Sequence, residues 1–272
     1  MLKKVLAEMI LFMDRHGYAK RSRRIDQKRN KSTPVHIEPA EGYVEKVFKL
    51  GSFQGFIFDM DGLVLDTEPT YFAAWQQAVT KMGYQLPPDA FKIVSGFHYQ
   101  QVEVQLKAWL GQDFNLQDFK QLGTSYWRKH IRKYGIAVKP GVIELLDYAE
   151  QQSIPVCLAT NSWGVYARHC LAIAGLTQRF PLMVTGDNVE HVKPAPDIFL
   201  TAAERMQLAI QQCVIFEDSH TGIVAASASG AYSVYVPSTF PVNPLTVKMC
   251  DCMLDDLSQV FDTLPIPTSI KI

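Results

Sequence analysis

Residues 56–68, FIFDMDGLVLDTE, constrain the fold of this chain more than any other segment. Phe56, Ile57 and Phe58 form an unbroken apolar run that stops at Asp59, with Asp61 and Gly62 just behind it. A strand that is apolar on both faces belongs inside a parallel sheet with helices on either side. Such sheets place their chemistry at the carboxyl ends of their strands. Asp59 and Asp61, one residue apart on a Gly turn, offer hard oxygens that could share a cation and a phosphate. One could act as a nucleophile while the other handles protons. A calcium loop of the EF-hand type does not fit: Leu63 and Val64 stand where an oxygen ligand and a glycine are needed.

The remainder of the chain divides by periodicity. Strand 1 covers about 55–60. Residues 67–139 then show helical spacing without a clear strand. Phe72, Trp75, Val79 and Met82 recur at three- and four-residue steps, as do Val102, Leu106 and Trp109, and later Phe119, Leu122 and Tyr126. Pro87, Pro88 and Gly111 punctuate this stretch into about four helices. Alternation resumes at Lys139-Pro140-Gly141: helix 142–152, strand 154–159, helix 162–174, strand 180–185, helix 197–208, strand 213–216, helix 220–229 and strand 231–236. A short strand and helix follow over 252–262. The expectation is an α/β fold, a Rossmann-like parallel sheet with right-handed crossovers. The helical insert leaves just after strand 1 and should sit over the strand ends as a cap. Three parts result: a basic N-terminal extension at 1–50, an α/β core at 51–66 and 140–272, and a helical cap at 67–139.

Charge supports that division. Residues 1–50 carry 12 Lys/Arg against 6 Asp/Glu, a balance of +6, and the remaining residues carry 15 against 21, a balance of −6. The first 50 residues read as a solvated leader, and a chain starting near Gly51 is expected to keep activity and stability. The mildly acidic remainder argues against a nucleic-acid-binding body. Five cysteines without a regular framework suggest reduced thiols in a cytoplasmic protein. No stretch approaches the roughly 20 apolar residues needed to span a bilayer, so no membrane partner is expected, and the chain is expected to be a monomer or weak oligomer.

Three later segments place further chemistry at strand ends. The strand IPVCLA runs into Thr160-Asn161-Ser162, where a hydroxyl and the backbone N–H groups opening a helix suit a phosphate. Ser162 reads equally as an ordinary helix cap. Lys193 lies in HVKPAPDIF, stiffened by Pro194 and Pro196, with Asp197 placed to cap the next helix. The strand CVIF ends in Glu217-Asp218-Ser219, acids that suit Mg²⁺, which takes one or two carboxylates besides phosphate and water.

These four motifs, in this order across residues 55–236, resemble those of the haloacid dehalogenase superfamily. The DTE ending of the first, the ED of the fourth and the helical cap between the first two look most like its β-phosphoglucomutase-like phosphatases. The resemblance implies that Asp59 is the nucleophile, that Asp61 is the acid and base, and that Lys193 offsets charge between Asp59 and phosphate. It implies Mg²⁺ on Asp59, the Asp61 carbonyl and Asp218, with Glu217 a ligand or a neighbour of one. Thr160 and the Asn161 amide would hold the phosphoryl group. Glu68, Tyr71, His98 and Tyr99 of the cap are candidates for choosing the substrate, a small phosphorylated metabolite, either a phosphosugar or a nucleotide-like compound. An acid at Asp61 favours phosphoryl transfer over dehalogenation, since an alcohol leaving group needs a proton. Related mutases carry a His four residues after the hinge Thr; here Thr67 is followed by Tyr71, which favours a phosphatase. A phosphohexose mutase of the β-phosphoglucomutase type and a catalytically inactive binding protein on the same fold remain the alternatives.

Overall fold

The computed structural model describes residues 50–94 and 99–263. Six strands, β1 (Gly55–Phe58), β4 (Val156–Thr160), β5 (Leu182–Thr185), β6 (Cys213–Glu217), β7 (Tyr232–Tyr235) and β8 (Cys252–Met253), form one sheet in the order β5-β4-β1-β6-β7-β8. Every neighbouring pair is parallel. Two short strands, β2 (Leu65–Asp66) and β3 (Ala137–Val138), pair antiparallel outside it.

Alternation along the strands decides what each face buries. Phe56 and Phe58 of β1 share one cluster with Val214 and Phe216 of β6. Ile57 enters another with Cys157 and Ala159 of β4 and Ile215 of β6. Both faces are closed to solvent, as the continuous apolar runs require. The second face is covered by Ile198, Phe199 and Ala202 of the helix Asp197–Arg205.

The register sets the site. Phe58 lies opposite Leu158 on one side and Phe216 on the other, so the residues that follow leave the sheet at one level. From β1 the chain runs to β4 and β5 on one side and then crosses to β6 on the other. The strand order thus reverses beside β1 and opens a crevice at the carboxyl ends of the central strands. Asp59, Thr160 and Glu217 all stand there.

Among the described residues, four helices occupy the segment between β2 and β3: α1 (Glu68–Lys81), α2 (Ala90–Val94), α3 (Tyr99–Leu110) and α4 (Leu116–Tyr134). Asn115 starts α4 by accepting from the backbone N–H groups of Gln117 and Asp118, satisfying two donors a helix start leaves open. Trp75 of α1 meets Phe119 of α4 with ring centroids 6.0 Å apart, and Tyr71 stacks on Trp127 at 5.0 Å. This helical cap and the sheet share one continuous apolar cluster.

Several sequence expectations move. The β2–β3 pair was not anticipated, and neither was the short helix Pro244–Met249. Helix 197–208 ends at Arg205, and the turn at 257–263 is 3-10 rather than α. The basic segment expected at 1–50 lies outside the described residues, except for its last residue. Leu50 is fully buried in the core, in a 3-10 turn (Leu50–Ser52) beside Leu257–Thr263. The packed chain therefore begins before Gly51. Leu50→Ala should cost about 2–4 kcal/mol of stability, read as a lower urea midpoint, and a chain starting at Gly51 should show a comparable loss against one starting at Lys46. An unchanged midpoint in Leu50→Ala would mean that the turn contributes nothing to the core.

Candidate active site

Lys193 organises the centre of the crevice. Its ammonium donates to Asp59 Oδ1 at 2.6 Å, Glu217 Oε1 at 2.6 Å and the Ala159 carbonyl at 2.8 Å. All three of its protons are thereby used. The Phe199 ring lies beneath it, 4.7 Å from Nζ. Burial by itself would strip the charge from this lysine, but Asp59 and Glu217 outweigh it and hold the ammonium above its ordinary pKa. Glu217 shows the reverse balance: burial would raise its carboxyl, yet Lys193 and the Ser219 donors pull it below the usual range. The group is thus an ion-paired triad in a dry site.

The lysine is held at its backbone too. Asn161 Oδ1 accepts from the Lys193 N–H at 2.9 Å, and Asn161 Nδ2 donates to the Lys193 carbonyl at 3.1 Å. The Asn161 side chain is therefore committed to clamping the Lys193 loop. Its backbone N–H remains the group to consider for an anion. Thr160, fully buried at the end of β4, accepts from the Ser162 N–H at 3.1 Å.

Asp61 has a separate set of partners. Oδ1 accepts from Thr67 Oγ1 at 3.0 Å and from the Tyr166 hydroxyl at 2.9 Å, and Oδ2 accepts from Ser162 Oγ at 2.9 Å. Ser162 is thus not the cap of its helix (Gly164–Ala174), which starts after Trp163 without a side-chain cap. Asp197 is likewise not a cap: Pro196 precedes the helix, and Asp197 lies 3.1 Å from His191 Nδ1. Burial raises both the Tyr166 and Tyr71 phenols well above the usual tyrosine range, so each keeps its proton.

Asp218 approaches the DxDG turn closely. Ser238 Oγ donates to its Oδ2 at 2.6 Å. Gly62 has φ +93°, and a Cβ there would lie 2.9 Å from Asp218 Cγ. Gly at this position therefore meets two demands at once, the left-handed backbone and room for the acid. Gly222, within a helix, meets only the second demand for Glu217, since a Cβ there would overlap the carboxylate. Asp59, Glu217 and Asp218, all buried, bring oxygens within 4.8 Å of one another. That donor set is hard, anionic and compact, and it fits Mg²⁺. Within it Glu217 is the poorest ligand: Oε1 faces Lys193, and Oε2 accepts from both the Ser219 N–H and Oγ at 2.9 Å.

The cap residues are less defined. Glu68 opens α1 and is half-buried, Tyr71 is buried, and Tyr99 opens α3. His98 lies outside the described residues. Ser162, Tyr166 and Ser238 are the site residues that sequence reasoning missed or misassigned. Only Ser162, next to a strand-end Thr, carried a signal that could have found it.

Residues 56–236 match the family model described as haloacid dehalogenase-like hydrolase. The chain belongs to that family. The fructose-1-phosphate phosphatase YqaB of Escherichia coli is 34% identical over 186 residues, covering 68% of this chain and 96% of the relative. The phosphorylated carbohydrates phosphatase of Thermotoga maritima is 31% identical over 182 residues, covering 67% and 84%. A Thermotoga maritima crystal structure, named as a candidate β-phosphoglucomutase, superposes with a TM-score of 0.66 at 28% identity, covering 77% of this chain and 97% of its own. Within the haloacid dehalogenase-like hydrolases this chain stands in the phosphatase subgroup that resembles β-phosphoglucomutase, as a phosphoric monoester hydrolase. Among the described residues no helix is long and apolar enough to cross a membrane.

Proposed function

We propose that the chain is a Mg²⁺-dependent phosphatase of a small phosphomonoester, with a phosphorylated sugar the favoured class, acting through an aspartyl-phosphate on Asp59. The observation that carries this reading is the triad: a nucleophile candidate pinned by a buried ammonium, with a second acid, Asp218, within metal-sharing distance. The names of the relatives support the sugar class.

Asp59 attacks phosphorus as the bond from phosphorus to the ester oxygen breaks, and Asp61 gives that oxygen its proton. Water then attacks the same phosphorus, Asp61 takes its proton, and Asp59 leaves as a free carboxylate with inorganic phosphate as product. The charged Lys193 offsets repulsion between an anionic nucleophile and an anionic ester, a stabilisation that grows in a dry site. Glu217 anchors that ammonium. Asp59, Asp218 and the Asp61 carbonyl would hold Mg²⁺, which when bound supplies further positive charge against the phosphoryl oxygens. Thr160 and the Asn161 N–H hold the phosphoryl group, and Glu68 faces the substrate from the cap. The soluble phosphatase is taken to act in the cytoplasm.

A mutase is the second reading, favoured by the likeness to a candidate β-phosphoglucomutase. Against it stands Tyr71, whose hydroxyl is occupied by Tyr166. Purified protein should release phosphate from p-nitrophenyl phosphate and from one or more members of a sugar-phosphate panel, lose that activity in EDTA and regain it with Mg²⁺. Turnover indifferent to chelation would remove the metal from the proposal. Bisphosphate-dependent conversion of β-glucose 1-phosphate to glucose 6-phosphate would replace phosphatase by mutase.

A further inference from the structure

The hydroxyl network on Asp61 extends beyond what the phosphatase chemistry needs. Behind Tyr166, the Tyr71 hydroxyl donates to the Tyr166 hydroxyl at 2.5 Å. Tyr71 belongs to cap helix α1, four residues after Thr67, whereas Tyr166 belongs to the core helix Gly164–Ala174. Trp127 of α4 stacks on both, with centroids 5.0 Å from Tyr71 and 5.7 Å from Tyr166. Its indole N–H donates to Thr70 Oγ1 at 2.9 Å, which fixes the ring against α1.

Plain aromatic packing accounts for the rings but not for the oxygens. Phenylalanine would stack equally well, and a buried hydroxyl costs free energy unless it is hydrogen-bonded. Here both hydroxyls point along one line that ends on a carboxylate oxygen already shared with Thr67. Asp61 is thus gripped from three segments: the cap hinge, the strand end that follows β4, and a tyrosine that is itself held from the cap.

Resting on the phosphatase reading, we infer that Tyr166 is a positioning residue for Asp61. Tyr71 is its cap-borne support, so that seating of the cap sets the orientation of the acid. Neither tyrosine touches the reacting atoms; both act through Asp61. The links are in series, so cutting the inner one removes the effect of the outer.

The experiment compares wild type, Tyr166→Phe, Tyr71→Phe and the double variant on phenyl phosphate and p-nitrophenyl phosphate. The two esters differ in how much their leaving oxygen needs a proton. A misplaced acid should therefore slow the first-turnover release of phenol from phenyl phosphate by roughly tenfold, read by rapid mixing, with that of p-nitrophenol little changed. The later water step, which needs Asp61 as base, is common to both esters and should slow equally. The double variant should be no slower than Tyr166→Phe, yet more stable, because Tyr166→Phe alone strands the Tyr71 hydroxyl. Equal losses in the first phosphoryl transfer from both esters, or losses that multiply in the double variant, would overturn the inference and leave the phosphatase reading intact. A wild type that hydrolyses neither ester overturns both.

Discussion

Lys193→Met should abolish turnover and destabilise the fold in the same stroke, by about 3–5 kcal/mol. Methionine replaces the stem with little change of volume, so the loss reports the charge. Without it, Asp59 and Glu217, 3% and 0% exposed, face each other across a dry site with no cation between them. Breaking a buried ion pair by removing one partner is costly because the other charge stays behind. The pH dependence should change sign. In the native protein Glu217 is held below the ordinary carboxyl pKa. Its contribution to stability is present above that ordinary value and lost as pH falls through the depressed one. In Lys193→Met, burial and mutual repulsion instead raise both carboxyls, so the variant should gain stability as pH drops from 7 towards 5. Urea midpoints at several pH values read both slopes. Adding Glu217→Gln should recover part of the stability and none of the activity. A variant as stable as wild type at pH 7 would show that the triad is not the structural pin described above.

What was readable in the sequence, and what was not, follows from the range of each interaction. The six parallel strands were visible because burial on both faces leaves continuous apolar runs such as Phe56–Phe58. Cap helices left their three- and four-residue spacing for the same reason. The β2–β3 pair was invisible: two residues per strand give periodicity nothing to repeat. Leu50 was lost to a charge-based boundary, since one buried residue at the end of a basic segment carries no pattern. At the site, Asp59 and Asp218 announced themselves at the ends of apolar strands, and Lys193 by the prolines that follow it, Pro194 and Pro196. Tyr166 could not, because nothing near it in the chain needs its hydroxyl; its partner Asp61 is 105 residues away. Asn161 shows a subtler limit. Its position was evident, but the commitment of its side chain to the Lys193 backbone depended on a loop 32 residues further on. Caps failed at Ser162, whose hydroxyl goes to Asp61 101 residues away, and at Asp197, which pairs with His191 in the preceding loop while Pro196 takes the cap position.

The two aspartates of the DxDG turn should fail in distinguishable ways. Asp59→Asn removes the attacking carboxylate while the amide oxygen can still accept from Lys193, so the fold should persist and p-nitrophenol release should stay at background from the first turnover. Asp61→Asn leaves the nucleophile in place. The p-nitrophenolate leaving group needs little protonation, so phosphoryl transfer to Asp59 should still proceed. What the variant lacks is the base for the attacking water. Rapid mixing should therefore show a burst close to one equivalent of p-nitrophenol per site, then turnover slower by roughly 10²–10⁴-fold, the range expected for a lost acid–base group. The trapped phosphoryl group should be recoverable on Asp59 by mass spectrometry after acid quench. The argument rests on the separation seen in the structure: Asp59 belongs to the Lys193 triad, and Asp61 to the hydroxyl network of Thr67, Ser162 and Tyr166. Two different sets of partners, for acids two residues apart in one turn, suit two roles in one reaction. A burst from Asp59→Asn, or none from Asp61→Asn with a stable fold, would exchange or erase those roles.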